Sequence, residues 1–139
     1  MKVGELSGVA LDYWVARANG AGSDVSKLKS GESWCAIETV PNAIKPFPAC
    51  VLGHKVGRGK HPSRNRWFYP STVWNDGGPI LARERIDLLA AAGDADSWFA
   101  QTVSRDVVIS YFGPTILVAA MRVFVAKRFG PEVPDEVLA

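Results

Sequence analysis

Gly113-Pro114-Thr115-Ile116-Leu117-Val118-Ala119-Ala120-Met121-Arg122-Val123-Phe124-Val125-Ala126 holds the longest apolar run of the chain, residues 116–121, resumed after one charge as 123–126. A membrane span needs about 20 apolar residues, so a run this short reads as a buried helix. Gly113-Pro114 opens it, and Gly130 followed by Pro131 closes it, which predicts a helix over about 114–129. Arg122 is the only charge in the run, and its helical neighbours are Val118, Ala119, Val125 and Ala126. A guanidinium on such a face is either partnered or costly. Three readings stay open: a structural salt bridge, with Asp12 as the partner; a long stem that carries its head to the surface; or a clamp for an anion or carboxylate in a pocket.

Working outward, Ser7 suits an N-cap, and Leu11, Trp14, Val15 and Ala18 share one helical face. Gly20 suits the left-handed position after the helix, which is expected over about 8–19. Residues 20–33 read as a loop, 33–40 as a weakly alternating strand stopped by Pro41, and 51–56 as a short strand. Prolines and glycines are dense over 41–66, and 57–66 reads as an exposed loop. Asn75-Asp76-Gly77-Gly78 reads as a turn, and Pro79 as the first position of a short helix over about 79–85. Residues 86–91 and 97–103 form an expected hairpin around Gly93-Asp94-Ala95-Asp96, although 88–92 can equally extend the helix. Val107-Val108-Ile109 is a further strand-like run. The expected architecture is α+β: a single domain with N- and C-terminal helices packed around a small, mainly antiparallel sheet, and a long basic loop over about 41–66.

A chain of 139 residues buries about two-thirds of its unfolded surface, enough for one core without staples. Its 47% hydrophobic and 22% charged residues are those of a soluble globular protein. Five Trp need a place in the core or on a binding surface. Cys35 and Cys50 make no CxxC pair and no signal peptide is evident, so the expected setting is a reducing cytoplasm. The net charge of +2 is unevenly spread. No acidic residue lies between Glu38 and Asp76, an interval that holds Lys45, Lys55, Arg58, Lys60, Arg64 and Arg66 with His54 and His61. The rest of the chain keeps ten of the 16 basic residues and all 14 acidic ones, so a basic loop sits on a mildly acidic body.

Two stretches can carry binding chemistry. Ser71-Thr72 followed by Gly77-Gly78-Pro79 combines hydroxyls, a glycine turn and a helix start, a setting that attracts phosphate or carboxylate. Arg83 can add charge there and Trp74 a wall, although Ser, Thr and Gly also cap ordinary turns. The basic residues Lys55, Arg58, Lys60, Arg64 and Arg66, followed by Trp67-Phe68-Tyr69, match a crude recipe for single-stranded nucleic acid. The plainer reading is solvated charges and core aromatics. His54, His61, Cys35 and Cys50 have no zinc-ligand spacing, so no metal and no cofactor is implied. No catalytic nucleophile has a recognisable base, and the carboxylate pairs Asp94/Asp96 and Asp135/Glu136 read as solvated.

Three motifs in order, Leu6-Ser7-Gly8-Val9-Ala10-Leu11-Asp12, then residues 69–80, then Gly113 to Arg122, resemble the NinX-like family of small bacteriophage proteins. The resemblance covers 1–20 and 69–138 and rests on positions such as Gly8, Asp12, Pro70, Ser71, Thr72, Trp74, Gly78, Pro79, Arg83, Trp98, Thr115 and Arg122. The chain departs from it in the basic insert and at Ile116, where the family motif more often has proline. The resemblance implies a small accessory product of a temperate phage or prophage; it carries over no activity and no catalytic residue. Three functions are therefore in view. The leading one is a non-enzymatic interaction protein that binds a phage or host protein, and it predicts an exposed apolar or aromatic patch on the order of several hundred Å². Separately, the five Trp leave room for self-association as a homo-oligomer. The second is nucleic-acid binding through 55–66. The third is an anion-binding or enzymatic pocket formed by Asp12, Ser71, Thr72, Trp74, Arg83 and Arg122, which requires those groups to converge.

Overall fold

The computed structural model describes residues 1–41, 44–56, 64–91 and 97–135, with Arg64 described by its backbone alone. After a short 3₁₀ turn come helix α1 (Gly8–Ala18), strands β1 (Ser33–Thr39), β2 (Pro48–His54) and β3 (Arg64–Trp67), and helix α2 (Trp74–Arg83). Strands β4 (Asp87–Ala90), β5 (Trp98–Ser104) and β6 (Val107–Gly113) follow, then helix α3 (Ile116–Phe129). The α+β class holds, but the strands divide into two antiparallel three-stranded sheets, β1-β2-β3 and β4-β5-β6. Helix α1 packs on β1, β2 and α3, and α3 packs on β5, β6 and α2, so the helices form the layer that joins the sheets.

The apolar run lies at the centre. Residues 117–121 and 123–126 of α3 are all buried, and a helix apolar on every side must be covered on every side. Thr115 caps it, accepting a hydrogen bond from the Val118 N–H at 3.1 Å, and Gly130 ends it. Helix α1 ends as expected: Gly20 takes φ +103, so the N–H of Ala21 reaches the Ala16 carbonyl and that of Gly20 the Arg17 carbonyl. Ser7 occupies the N-cap of α1, but its hydroxyl makes no capping bond.

Two expectations are corrected. Residues 64–67 pair as an edge strand with β2 rather than ending a loop; the exposed charge of Arg66 suits an edge. The remaining loop residues, 57–63, and the turn at 93–96 lie outside the described residues. Gly77-Gly78-Pro79 is not a turn before a helix but the middle of α2. A Cβ at Gly77 would lie 2.2 Å from the Pro70 carbonyl oxygen and 2.9 Å from Leu117 Cδ2. Glycine is there because the helix presses on backbone, and that contact outweighs the local turn propensity.

The β5–β6 hairpin turns on Arg105 and Asp106, both with positive φ (51° and 65°), and Ser104 pairs with Val107. This is the two-residue type I′ geometry that matches the twist of the strands.

Candidate functional site

Ser71, Thr72 and Trp74 do share a site. With Trp98, Pro114, Thr115, Ile116 and Leu117 they line a cleft of about 390 Å³ where α2, β5 and α3 all begin. Two of the motif stretches, 69–80 and 113–122, therefore meet across one opening. Trp74 is exposed and Trp98 half-buried, so two indoles flank it. Sequence reasoning missed Trp98 and Thr115; their place follows only from the strand and helix ends that the fold brings together.

Asp12 lies behind this cleft. It is 4% exposed, and its Oδ1 accepts a hydrogen bond from the Ser71 N–H at 2.8 Å. Burial pushes its pKa up to about 6; the bonds to Ser71 pull it down and the charge of Asp76 pushes it up further, both by less. The Ser71 hydroxyl lies near enough to lower that pKa, yet it makes no well-formed hydrogen bond with any described group and is itself buried. Asp76 plays a different part. Its Oδ1 accepts from Arg66 Nη1 at 2.7 Å and its Oδ2 from the Tyr69 N–H at 2.9 Å, fixing the approach to α2.

Arg122 does not pair with Asp12. Its Nε donates to the Leu6 carbonyl at 2.9 Å and its Nη1 to the Phe112 carbonyl at 2.7 Å. Burial lowers its pKa. The guanidinium thus ties the approach to α1 to the end of β6, and its flank lines a separate shallow cleft with Tyr111, Phe112 and Pro114. Replacing Arg122 by Ala is expected to destabilise the fold by about 3 kcal/mol, the sum of two charge-assisted bonds to carbonyls. Lysine should restore less than half of this, since the guanidinium reaches the two carbonyls with two separate nitrogens, Nε and Nη1, and an ammonium offers only one nitrogen at one point. Urea unfolding of both variants checks this; full rescue by lysine would show that only the charge matters.

Arg83 is also elsewhere. Its Nη2 donates to Asn19 Oδ1 at 2.9 Å, its guanidinium lies over Phe124 at 5.7 Å, and it lines a third cleft at the far end of α2. The six proposed pocket residues therefore split: Ser71, Thr72 and Trp74 converge, Asp12 backs them, and Arg83 and Arg122 face other surfaces.

The basic segment divides too. Lys55 is 7% exposed, and its Nζ donates to the carbonyls of Val25 (2.9 Å) and Leu28 (2.7 Å). It pins the loop after α1 and takes no part in an exposed basic track, a correction with a plain cause: a buried ammonium needs acceptors. Arg66 is exposed but engaged, by Asp76 and by the Phe68 ring at 5.3 Å. Arg58 and Lys60 lie outside the described residues, as does the side chain of Arg64. Phe68 is in the core, and Trp67 and Tyr69 are half-buried. His54 is exposed, with Nδ1 3.2 Å from Ser33 Oγ; His61 is outside the described residues. Cys35 and Cys50 are buried and form no disulfide, and burial, followed by the neighbouring Cys35, pushes the Cys50 thiol well up. Among the described residues no three His, Cys, Asp or Glu gather as a metal site, and no helix is long and apolar enough to cross a membrane.

One further surface was not foreseen in place, only in kind. In the register of the second sheet, Leu89, Phe99 and Phe112 form one row, Asp87, Gln101 and Ser110 the next, and Val103 faces Val108. Alternation puts all of these on the face opposite Ala100 and Thr102, which are buried on the α3 side. Leu89 (58%), Phe112 (59%), Val103 (65%) and Val108 (60%) are exposed, and the Phe99 and Phe112 rings touch at a centroid distance of 5.1 Å. No described element covers this face.

The fold and these surfaces define a small α+β protein: two antiparallel meanders joined by three helices, with shallow clefts and a sheet face that no described element covers. The chain belongs to the NinX family of phage proteins, since the family model described as Bacteriophage P22, NinX matches residues 2–128. That places it among phage accessory proteins. No curated protein matches it.

Proposed function

We propose that this phage accessory protein works by non-enzymatic binding, docking a protein of the phage or of its bacterial host in the cytoplasm through the outer face of the β4-β5-β6 sheet. The observation that carries this reading is the set of Leu89, Phe99, Phe112, Val103 and Val108 on one face that no described element covers. Single exposed apolar residues are ordinary on a soluble protein; two apolar rows, Leu89/Phe99/Phe112 and Val103/Val108, on the same sheet face support an interaction surface. The polar row of Asp87, Gln101 and Ser110 between the apolar rows supplies hydrogen-bonding groups that fix a partner's orientation.

The test is co-purification from infected host cells with wild type and with Val103→Lys/Phe112→Ser. Both side chains face solvent, so the loss of folding stability should be confined to the Phe99–Phe112 ring contact, about 1 kcal/mol. Loss of a buried aromatic or aliphatic anchor weakens an interface by about 2 kcal/mol, roughly thirtyfold. A stoichiometric partner held by wild type and lost from the variant is the expected result. Equal retention by both overturns the assignment of this face.

A further inference from the structure

Three helices end at one place. Asn19 after α1, Arg83 and Glu84 at the end of α2, Lys127 and Arg128 in the last turn of α3, and Arg105 at the β5–β6 turn surround a cleft of about 590 Å³. Four cations and one carboxylate line it. Part of that charge serves the fold itself. Each helix C-terminus carries roughly half a negative charge, so three such ends and Glu84 offset about two and a half of the four cations. A positive surplus remains.

The cations are not equivalent. Glu84 lies 3.4 Å from Lys127 and 3.8 Å from Arg83, and Arg83 also donates to Asn19. Arg105 and Arg128 are exposed, and among the described residues neither has an ion-pair partner. Two guanidinium groups at the rim, with two held cations behind them, match the multiple oxygens of a phosphate group.

We infer that this cleft binds a compact phosphate-bearing anion, gripped by Arg105 and Arg128 with Arg83 and Lys127 behind them. Its volume falls within the range of about 300–1,000 Å³ usual for small-ligand sites. The wall favours a small ligand over a nucleic-acid strand: the aromatic ring it contains, Phe124, is 4% exposed and already covered by Arg83, so it offers no platform for a base. This site is separate from the bare sheet face and stands whether or not that face docks a protein.

Calorimetric titration with sodium pyrophosphate tests it, using wild type, Arg105→Gln/Arg128→Gln, and Arg66→Gln as a basic-residue control outside the cleft. Wild type should bind one equivalent saturably, more weakly as salt is raised. The double variant should bind at least about tenfold more weakly at unchanged Tm, and the control like wild type. Amide shifts on binding should map to Arg105 and Lys127. Absence of saturable binding by wild type, or equal binding by the double variant, overturns the site. A thymidine oligonucleotide that displaces pyrophosphate and binds more tightly through the same arginines overturns the compact ligand and assigns the cleft to a nucleic-acid backbone.

Discussion

Gly77→Ala is expected to destabilise the protein by roughly 3 kcal/mol or more, at the upper end of what overpacking does, while Gly78→Ala, one residue on, is expected to be neutral or to stabilise by about 0.5 kcal/mol. Both glycines lie inside α2. The new methyl at 77 would sit 2.2 Å from the Pro70 oxygen and 3.2 Å from the Pro70 carbonyl carbon, and Pro70 is fully buried. Leu117 Cδ2 closes the other side at 2.9 Å. The Leu117 methyl can turn, but the Pro70 carbonyl is backbone and cannot yield without shifting α2 or the segment before it. At 78 the nearest atom is Trp74 Cε3 at 3.2 Å, on a ring that is 54% exposed and has room to turn. There the ordinary helix preference for alanine decides the sign. Denaturant unfolding of the two single variants checks the pair. Equal effects would mean that the two glycines share a turn, as their sequence suggests, and not a helix pressed against backbone.

The second large effect is a pH dependence. Burial raises the Asp12 pKa from 3.8 to about 6, so the folded state holds this proton more tightly than the unfolded chain does. The folded state's advantage is fully present below the unfolded pKa of 3.8 and is lost as pH rises through about 6. A shift of this size corresponds to about 3 kcal/mol. Asp12→Asn keeps an oxygen for the Ser71 N–H and offers an amide to the unpartnered Ser71 hydroxyl, without a charge to bury. The variant should match wild type near pH 4 and exceed it by roughly 2–3 kcal/mol at pH 8. Urea unfolding of both proteins across that interval isolates the group, since other titrations cancel in the difference. A difference that does not change with pH contradicts the assignment.

What was legible in the chain follows from where the deciding forces act. The ends of α1 and α3 are set by local chemistry at Gly20, Thr115 and Gly130, and their bounds lie within two residues of the expected ones. Strands β1, β5 and β6 were readable because apolar and β-branched runs mark them, while Leu88-Leu89-Ala90 of β4 suits a helix as well as a strand and left that element open. Helix α2 was misplaced because its N-cap, Val73, offers no capping side chain and its Gly-Gly-Pro reads as punctuation; only Pro70 and Leu117, brought close by the fold, explain it. The edge strand β3 hid because Arg-Asn-Arg-Trp has no apolar alternation.

The site was half legible for a geometric reason. Ser71, Thr72 and Trp74 are neighbours in sequence and share a cleft. Arg122 lies seven residues beyond Thr115, about 10 Å along α3, and Arg83 nine beyond Trp74, about 13 Å along α2. Each helix therefore carries its arginine away from the cleft at its start. The bare sheet face was not legible in place because β5 and β6 have apolar residues on both faces, Ala100 and Ile109 inward and Val103, Val108 and Phe112 outward. Alternation without a polar face cannot say which side is covered.

The central claim is that the outer face of the β4-β5-β6 sheet docks a protein partner. Site-specific photocrosslinking in phage-carrying host cells tests it most directly, with a benzophenone side chain placed at Phe112 and, as a similarly exposed control, at Val56 (59% and 53%). The account predicts one discrete heterologous adduct from position 112 and none from position 56. No adduct from 112, or the same adducts from both positions, would contradict it.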